Sequence, residues 1–132
     1  MTHTSTKYKA IVRSVVVVLA LAVAGGAALA ADMAKEDAKF TAIEKDGSKV
    51  WDGGGTVDLK GRTTPLTLTV VNTLGADHGF SIDSMKVQDV IKAGETKTIT
   101  VPLESIDASV SEHRVYCQLH PKHVAAMLKT TR

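Results

Sequence analysis

The segment PLTLTVVN, residues 65 to 72, alternates without a break: Leu66, Leu68 and Val70 fall on one face, Thr67, Thr69 and Val71 on the other. A two-residue side-chain period belongs to extended chain, so this stretch predicts a half-buried strand. Its neighbours follow the same rule. FTAIEK and SKVWD are separated by Asp46-Gly47, a pair suited to the left-handed corners of a tight hairpin. WDGGGT then reads as a glycine turn. HGFSID and KVQDVI come next, the second ended by a turn at Lys92-Ala93-Gly94-Glu95. In TKTITV the threonines 96, 98 and 100 take the outer face. Ile99 and Val101 take the inner face, with Lys97 at the solvated start. After the connection PLESIDAS, the segment SEHRVYCQL sets Val115, Cys117 and Leu119 on one face and Arg114, Tyr116 and Gln118 on the other; VAAMLKT is the last strand. There is no internal repeat and no long amphipathic helix. Seven or eight short strands at this spacing predict an all-β sandwich of Greek-key type.

The first thirty residues stand apart from that pattern. MTHTSTKYKAIVR carries Lys7, Lys9 and Arg13 and no acid, SVVVVLALAVAGGAALA is apolar, and Ala28-Leu29-Ala30 fits a small-x-small cleavage rule. The strongly apolar run from Val15 to Ala24 is short for the ~20 residues of a spanning helix, and Gly25-Gly26 interrupt it. The expectation is therefore a cleaved signal peptide over 1–30, a loose segment over 31–38 and one domain over 39–132, exported to a periplasm or its equivalent. No membrane span remains after cleavage. The whole chain has 16 Lys and Arg against 14 Asp and Glu; without the three basics of residues 1–30 the balance is 13 against 14, a net charge of −1. No basic patch points to nucleic acid.

An oxidising compartment sharpens the question of the chain's one cysteine, which has no partner for an internal disulfide. Cys117 opens CQLHPKH, so His120 and His123 follow it at three and six residues. A thiolate and two imidazoles on one loop form a compact chelate suited to copper or zinc. A further ligand must come from elsewhere, and His78, which opens HGFSID, is the candidate. Each residue also has a plainer reading. An inward cysteine packs as a small hydrophobe, and a single histidine is often only hydrogen-bonded. His113 shares the face parity of Cys117 but sits too far along its strand to chelate, and reads as structural. Met127 offers a weak axial thioether or, alternatively, core packing. Met85, Trp51, Phe40 and Phe80 read as packing, and Asp83, Asp89 and Glu95 as turn and surface acids.

These residues resemble the cupredoxins. In that family one histidine comes from a distant strand, while cysteine, histidine and an axial ligand come from the last inter-strand loop. His78, Cys117 and His120 match the His, Cys and His, and His123 stands where the short amicyanin-type loop has its axial methionine. Within that family, GFSIDSMKVQDVIKAGETKTITV and CQLHPK resemble the nitrosocyanin group of red copper proteins, over roughly residues 64 to 129. Two departures stand out. The position of that group's glutamate ligand is His78 here, and the loop before the last strand is two residues shorter, which places His123 on the group's second loop histidine. HGF is also similar to the copper-A domains, but those need a second loop cysteine that this chain lacks.

The resemblance implies copper rather than zinc, held by His78, Cys117, His120 and His123, with Met127 as the weaker axial alternative. Such a protein is expected to carry single electrons to redox partner proteins rather than to act as an enzyme. The alternatives are a nitric oxide-type catalyst or sensor, and a copper carrier. The resemblance further implies a subunit contact through the hairpin of residues 40–52, in a homo-oligomer. An imidazole at the axial position predicts a red or green centre. No hydrolytic or phosphate-binding motif competes with this reading.

Overall fold

Asp46 (φ 50°) and Gly47 (φ 77°) both take the left-handed conformation, closing the hairpin between β1 (Ala38–Lys45) and β2 (Ser48–Asp58) as the Asp-Gly pair predicts. The computed structural model describes residues 35–132. The expected signal peptide at 1–30 and residues 31–34 of the segment at 31–38 lie outside the described residues; Ala38 is already the first residue of β1.

Strand β2 departs from the sequence reading in its middle. WDGGGT is not a turn: the strand runs on through Gly53, Gly54 and Gly55, whose φ values of 120°, 107° and 121° are closed to most side chains. Up to Gly54 the strand pairs with β1; from Gly55 onward it pairs with β8 (Ala126–Thr131). The glycines thus form a corner at which one strand passes between the two layers of the sandwich, a device known from strands that switch sheets. The remaining strands are β3 (Leu66–Asn72), β4 (His78–Ile82), β5 (Val87–Ile91), β6 (Thr96–Val101) and β7 (Glu112–Val115). The hydrogen-bonded order is β6-β3-β1-β2-β8-β7, with β1 and β3 parallel, β2 and β8 parallel, and the other pairs antiparallel. Strands β4 and β5 form a separate ladder. Among the described residues no helix is long and apolar enough to cross a membrane.

The predicted inward faces of β3 and β6 hold. Leu66, Leu68, Val70 and Val101 are fully buried, and Thr96, Thr98 and Thr100 face solvent. Phe40, Trp51, Phe80 and Met85 are core residues; the Phe80 ring lies 5.4 Å from Phe40 and 5.3 Å, edge-on, from Trp51. Such aromatic pairs add roughly 0.5–1.5 kcal/mol beyond the area they bury. Two expected positions fail. The extended run ends at Val115 and Tyr116 makes only a single bridge to Ser81, so strand parity does not reach Leu119, which is exposed. Strand β8 starts at Ala126, and its alternation turns Leu128 inward and Met127 outward, with 41% of Met127 exposed. Met127 is therefore not a core residue.

Two polar clusters fix the ends of the sandwich. Arg62 makes a bidentate pair with Asp37 (2.7 Å to each oxygen) and donates to the carbonyls of Thr64 and Pro65, while Asp37 also accepts the Thr67 N–H. Burial alone would raise the Asp37 carboxyl, but Arg62 and the Thr67 N–H hold it below the usual carboxylate range. At the other cluster His113 is completely buried, with Nδ1 2.6 Å from Ser84 Oγ and Nε2 3.0 Å from Thr130 Oγ1. Burial lowers its pKa and Arg132 adds to that effect, against the opposing influence of Asp107.

The corner and the buried histidine each generate an expected result. An alanine Cβ at Gly54 would sit 2.5 Å from the Met127 carbonyl oxygen at a φ that L-residues avoid. Gly54→Ala should cost about 2–3 kcal/mol in urea unfolding; an unchanged midpoint would show that the corner relaxes. His113 is neutral when folded and picks up a proton more readily when unfolded. Its contribution is complete above the unfolded value of about 6.5 and declines as pH falls through the window below it. His113→Gln should flatten the loss of stability below pH 6.5 by up to about 1.4 kcal/mol per pH unit, measured in the metal-free protein.

Candidate metal centre

Tyr116 exchanges backbone hydrogen bonds with Ser81 (2.9 and 3.0 Å), which lays the chain leaving β7 along β4. The next residue, Cys117, is buried, and its Sγ accepts the Gly79 N–H at 3.1 Å. His78, also buried, is the first residue of β4 and precedes the glycine that makes that bond. The strand begins there because Asn72, fully buried, organises the preceding loop: its amide donates to the carbonyls of Ala76 and Ile91 and its oxygen accepts the Leu74 N–H.

The loop beyond Cys117 is held at its far end as well. His123 N–H donates to the His120 carbonyl (3.0 Å), closing a four-residue turn with Pro121 in the second position, where its fixed φ is favoured. Val124 then exchanges backbone bonds with β2, donating to the Lys49 carbonyl (2.8 Å) and accepting the Trp51 N–H (3.0 Å). Trp51 also stacks on the His123 ring at 5.3 Å and 26° and donates its indole N–H to the Gly79 carbonyl (3.2 Å).

The structure brings the four sequence-predicted residues together. His78 Nδ1 lies 3.9 Å and His120 Nδ1 3.6 Å from Cys117 Sγ, and His123 Nδ1 is 3.0 Å from His78 Nδ1. Ligand atoms of the three buried members, His78, Cys117 and His123, all lie within 4.8 Å of one another. His120 is the exposed member, its ring 4.7 Å from that of His78. Met127 stays on the outward parity of β8 and does not join this buried set. His113 is occupied by Ser84 and Thr130, as a structural histidine should be.

This donor set fits a transition-metal ion. Tetrahedral bonds of about 2.0 Å to nitrogen and about 2.3 Å to sulfur separate ligand atoms by about 3.3 Å (N···N) and about 3.5 Å (N···S). The distances here, 3.0 Å for the nitrogen pair and 3.6 and 3.9 Å to sulfur, lie within about 0.4 Å of those values. The far nitrogens, Nε2 of His78 and of His123, are buried without a hydrogen-bond partner, a costly arrangement that the protein tolerates here. Burial is the chief reason both rings resist protonation. It lowers the pKa of His78, with help from His120 and Lys49 against Asp77, and it pushes His123 down to about 4. For His123 the neighbouring His78, His120 and Lys49 act with burial, and the Val50 backbone carbonyl acts against it. Both imidazoles are thus neutral at pH 7, the form that binds a metal.

Sequence reasoning took Trp51 as packing alone and assigned nothing to Gly79. A glycine inside a strand pattern is the signal for a close backbone approach, and Gly79 makes one, to the cysteine sulfur. The stacking of Trp51 on His123 had no such signal.

No family model matches the chain, and no curated protein matches it. Among solved structures the chain is similar to a reduced, Cu(I) amicyanin variant at pH 4, at 12% identity and a TM-score of 0.48, over 77% of this chain and 89% of that one. A Cu(I) form of a second amicyanin variant is 14% identical, with a TM-score of 0.46 and the same coverage of each. A laccase from Pediococcus acidilactici is 13% identical with a TM-score of 0.45, over 76% of this chain and 28% of that one. With eight strands among the described residues, the split corner strand and the site between β4 and the β7–β8 connection, the fold is a cupredoxin-like β-sandwich.

Proposed function

We propose that the protein is an exported, mononuclear copper protein of the nitrosocyanin type that carries single electrons. The observation that supports this best is the convergence of a buried sulfur, two buried imidazoles and the more exposed His120 at a spot braced from two strands and a closed turn. The same donors would bind zinc, but affinity rises toward copper across the first-row divalent ions, and thiolate with imidazole suits it. Copper bound there would supply one-electron exchange between Cu(II) and Cu(I).

The chain's own residues do the rest. Both ends of the loop are pinned by backbone bonds, and Trp51 stacks against His123, so the ligands keep their positions whichever oxidation state is present. Gly79 donates to the sulfur and tempers its electron density. His120 alone presents its ring to solvent and is the ligand that a redox partner would approach. His123, in place of a weak thioether, is a strong donor that favours Cu(II).

One observation favours a second reading, in which the site binds a small molecule such as nitric oxide. A cavity of about 320 Å³ is lined by His78 and His120 together with Lys49 and Lys122. Electron transfer remains the main proposal because four protein donors leave little need for a fifth.

Copper-loaded protein should show an intense thiolate-to-copper absorption and a red or green colour. Colourless protein that retains zinc would remove the electron-transfer proposal. His123→Met should move the colour toward blue and raise the potential by more than about 59 mV, the equivalent of tenfold in relative affinity for the two oxidation states. An unchanged spectrum would mean that His123 is not a ligand. Azide or nitric oxide that alters the visible spectrum of the wild type would favour the second reading.

A further inference from the structure

Gln118 follows Cys117 in the chain, yet its side chain runs onto the β4–β5 ladder. Its carboxamide oxygen accepts from Ser81 Oγ on β4 (2.7 Å), and its nitrogen donates to the Asp89 carbonyl on β5 (2.8 Å). Between these anchors it crosses Gly79, which shares the face of β4 with Ser81, two residues on. A Cβ at Gly79 would overlap the carboxamide oxygen and carbon of Gln118, with the nitrogen 2.8 Å away. The side-chain space of Gly79 is therefore filled by Gln118, and the same glycine's N–H is the donor to Cys117 Sγ.

We propose that Gln118 is a positioning residue for the cysteine ligand: by lying in the space Gly79 leaves, it holds this end of β4 so that the Gly79 N–H stays on the Cys117 sulfur. Without it, the backbone of β4 is tied to the connection after β7 only by the Ser81–Tyr116 pair, two residues farther along. On the side facing the loop, the Gly79 end, which carries His78 and pairs with β5 at Ile91 and Val90, would then be held only by the sulfur contact and the Trp51 indole. The consequence for the metal rests on the copper reading above; the clamp itself does not. A hydrogen bond to a thiolate draws charge from the sulfur and weakens it as a donor to Cu(II), so its loss should favour Cu(II) and lower the potential.

Gly79→Ala and Gln118→Ala remove the clamp from opposite sides. The added methyl meets the far end of a flexible side chain, and Gly79 has no positive φ, so Gly79→Ala should fold. A hydrogen bond to a charged group is one of the stronger kinds, so each variant should shift the relative affinity toward Cu(II) by about tenfold, a fall of about 59 mV. The thiolate absorption should move as well. Because both substitutions undo one contact, the double variant should change little beyond either single one. Hydrogen exchange at the Gly79 amide, followed in the metal-free protein, should speed up by about tenfold in both. Unchanged exchange, or wild-type spectra and potential in both variants, or additive effects in the double variant, would overturn the proposal. If wild type shows no thiolate band, the copper reading falls and the exchange measurement still decides the clamp.

Discussion

The hydrogen bond from the Gly79 N–H to Cys117 Sγ joins the two parts of this protein that carry the candidate metal ligands. On one side of it stands β4, which begins with His78; on the other is the connection that supplies Cys117, His120 and His123. The carbonyl of the same glycine receives the Trp51 indole, and that ring stacks on His123. One peptide group thus links the sulfur, the first histidine and, through Trp51, the last. The core beneath it is aromatic: Phe80, next in sequence to Gly79, packs against Phe40 and Trp51. Displacing β4 would disturb the core and the ligands together.

The placement of the ligands also explains their protonation. Burying His78 and His123 side by side, near Lys49, disfavours a positive charge on either of them. A cation that enters must therefore bring stronger compensation than a proton does, as a transition metal bonded to these donors would. His113 shows the contrast. It is equally buried, but both its nitrogens meet hydroxyl groups, so it asks for no ion.

Much of the fold was legible because strand parity is a local property. The alternation in PLTLTVVN and TKTITV and the Asp46-Gly47 corner predicted the strands, their inner faces and the first hairpin. The failures share one cause: parity and turn signals hold only while the chain stays regular. Three glycines that look like a turn were used instead to carry β2 between layers, through φ values that only glycine takes easily. Leu119 left its expected face because extended structure stops before it, and Met127 faces outward because it alternates with Leu128, which takes the inner face of β8.

The spacing of CQLHPKH determined by itself that Cys117, His120 and His123 lie on one short connection, since only two residues between successive potential ligands leave the chain little freedom to separate them. The sequence also marked His78 by type and by position at a strand start. It had no means of showing that His78 Nδ1 would come within 3.0 Å of His123 across 45 residues, because such proximity is set by which strands pair. Nor did it indicate the Gly79 bond to sulfur, the Trp51 stack or the seat of Gln118, which depend on the side-by-side arrangement of β4, β2 and the loop. Residue types supplied the donors, and the tertiary structure decided their distances, their burial and therefore their charge.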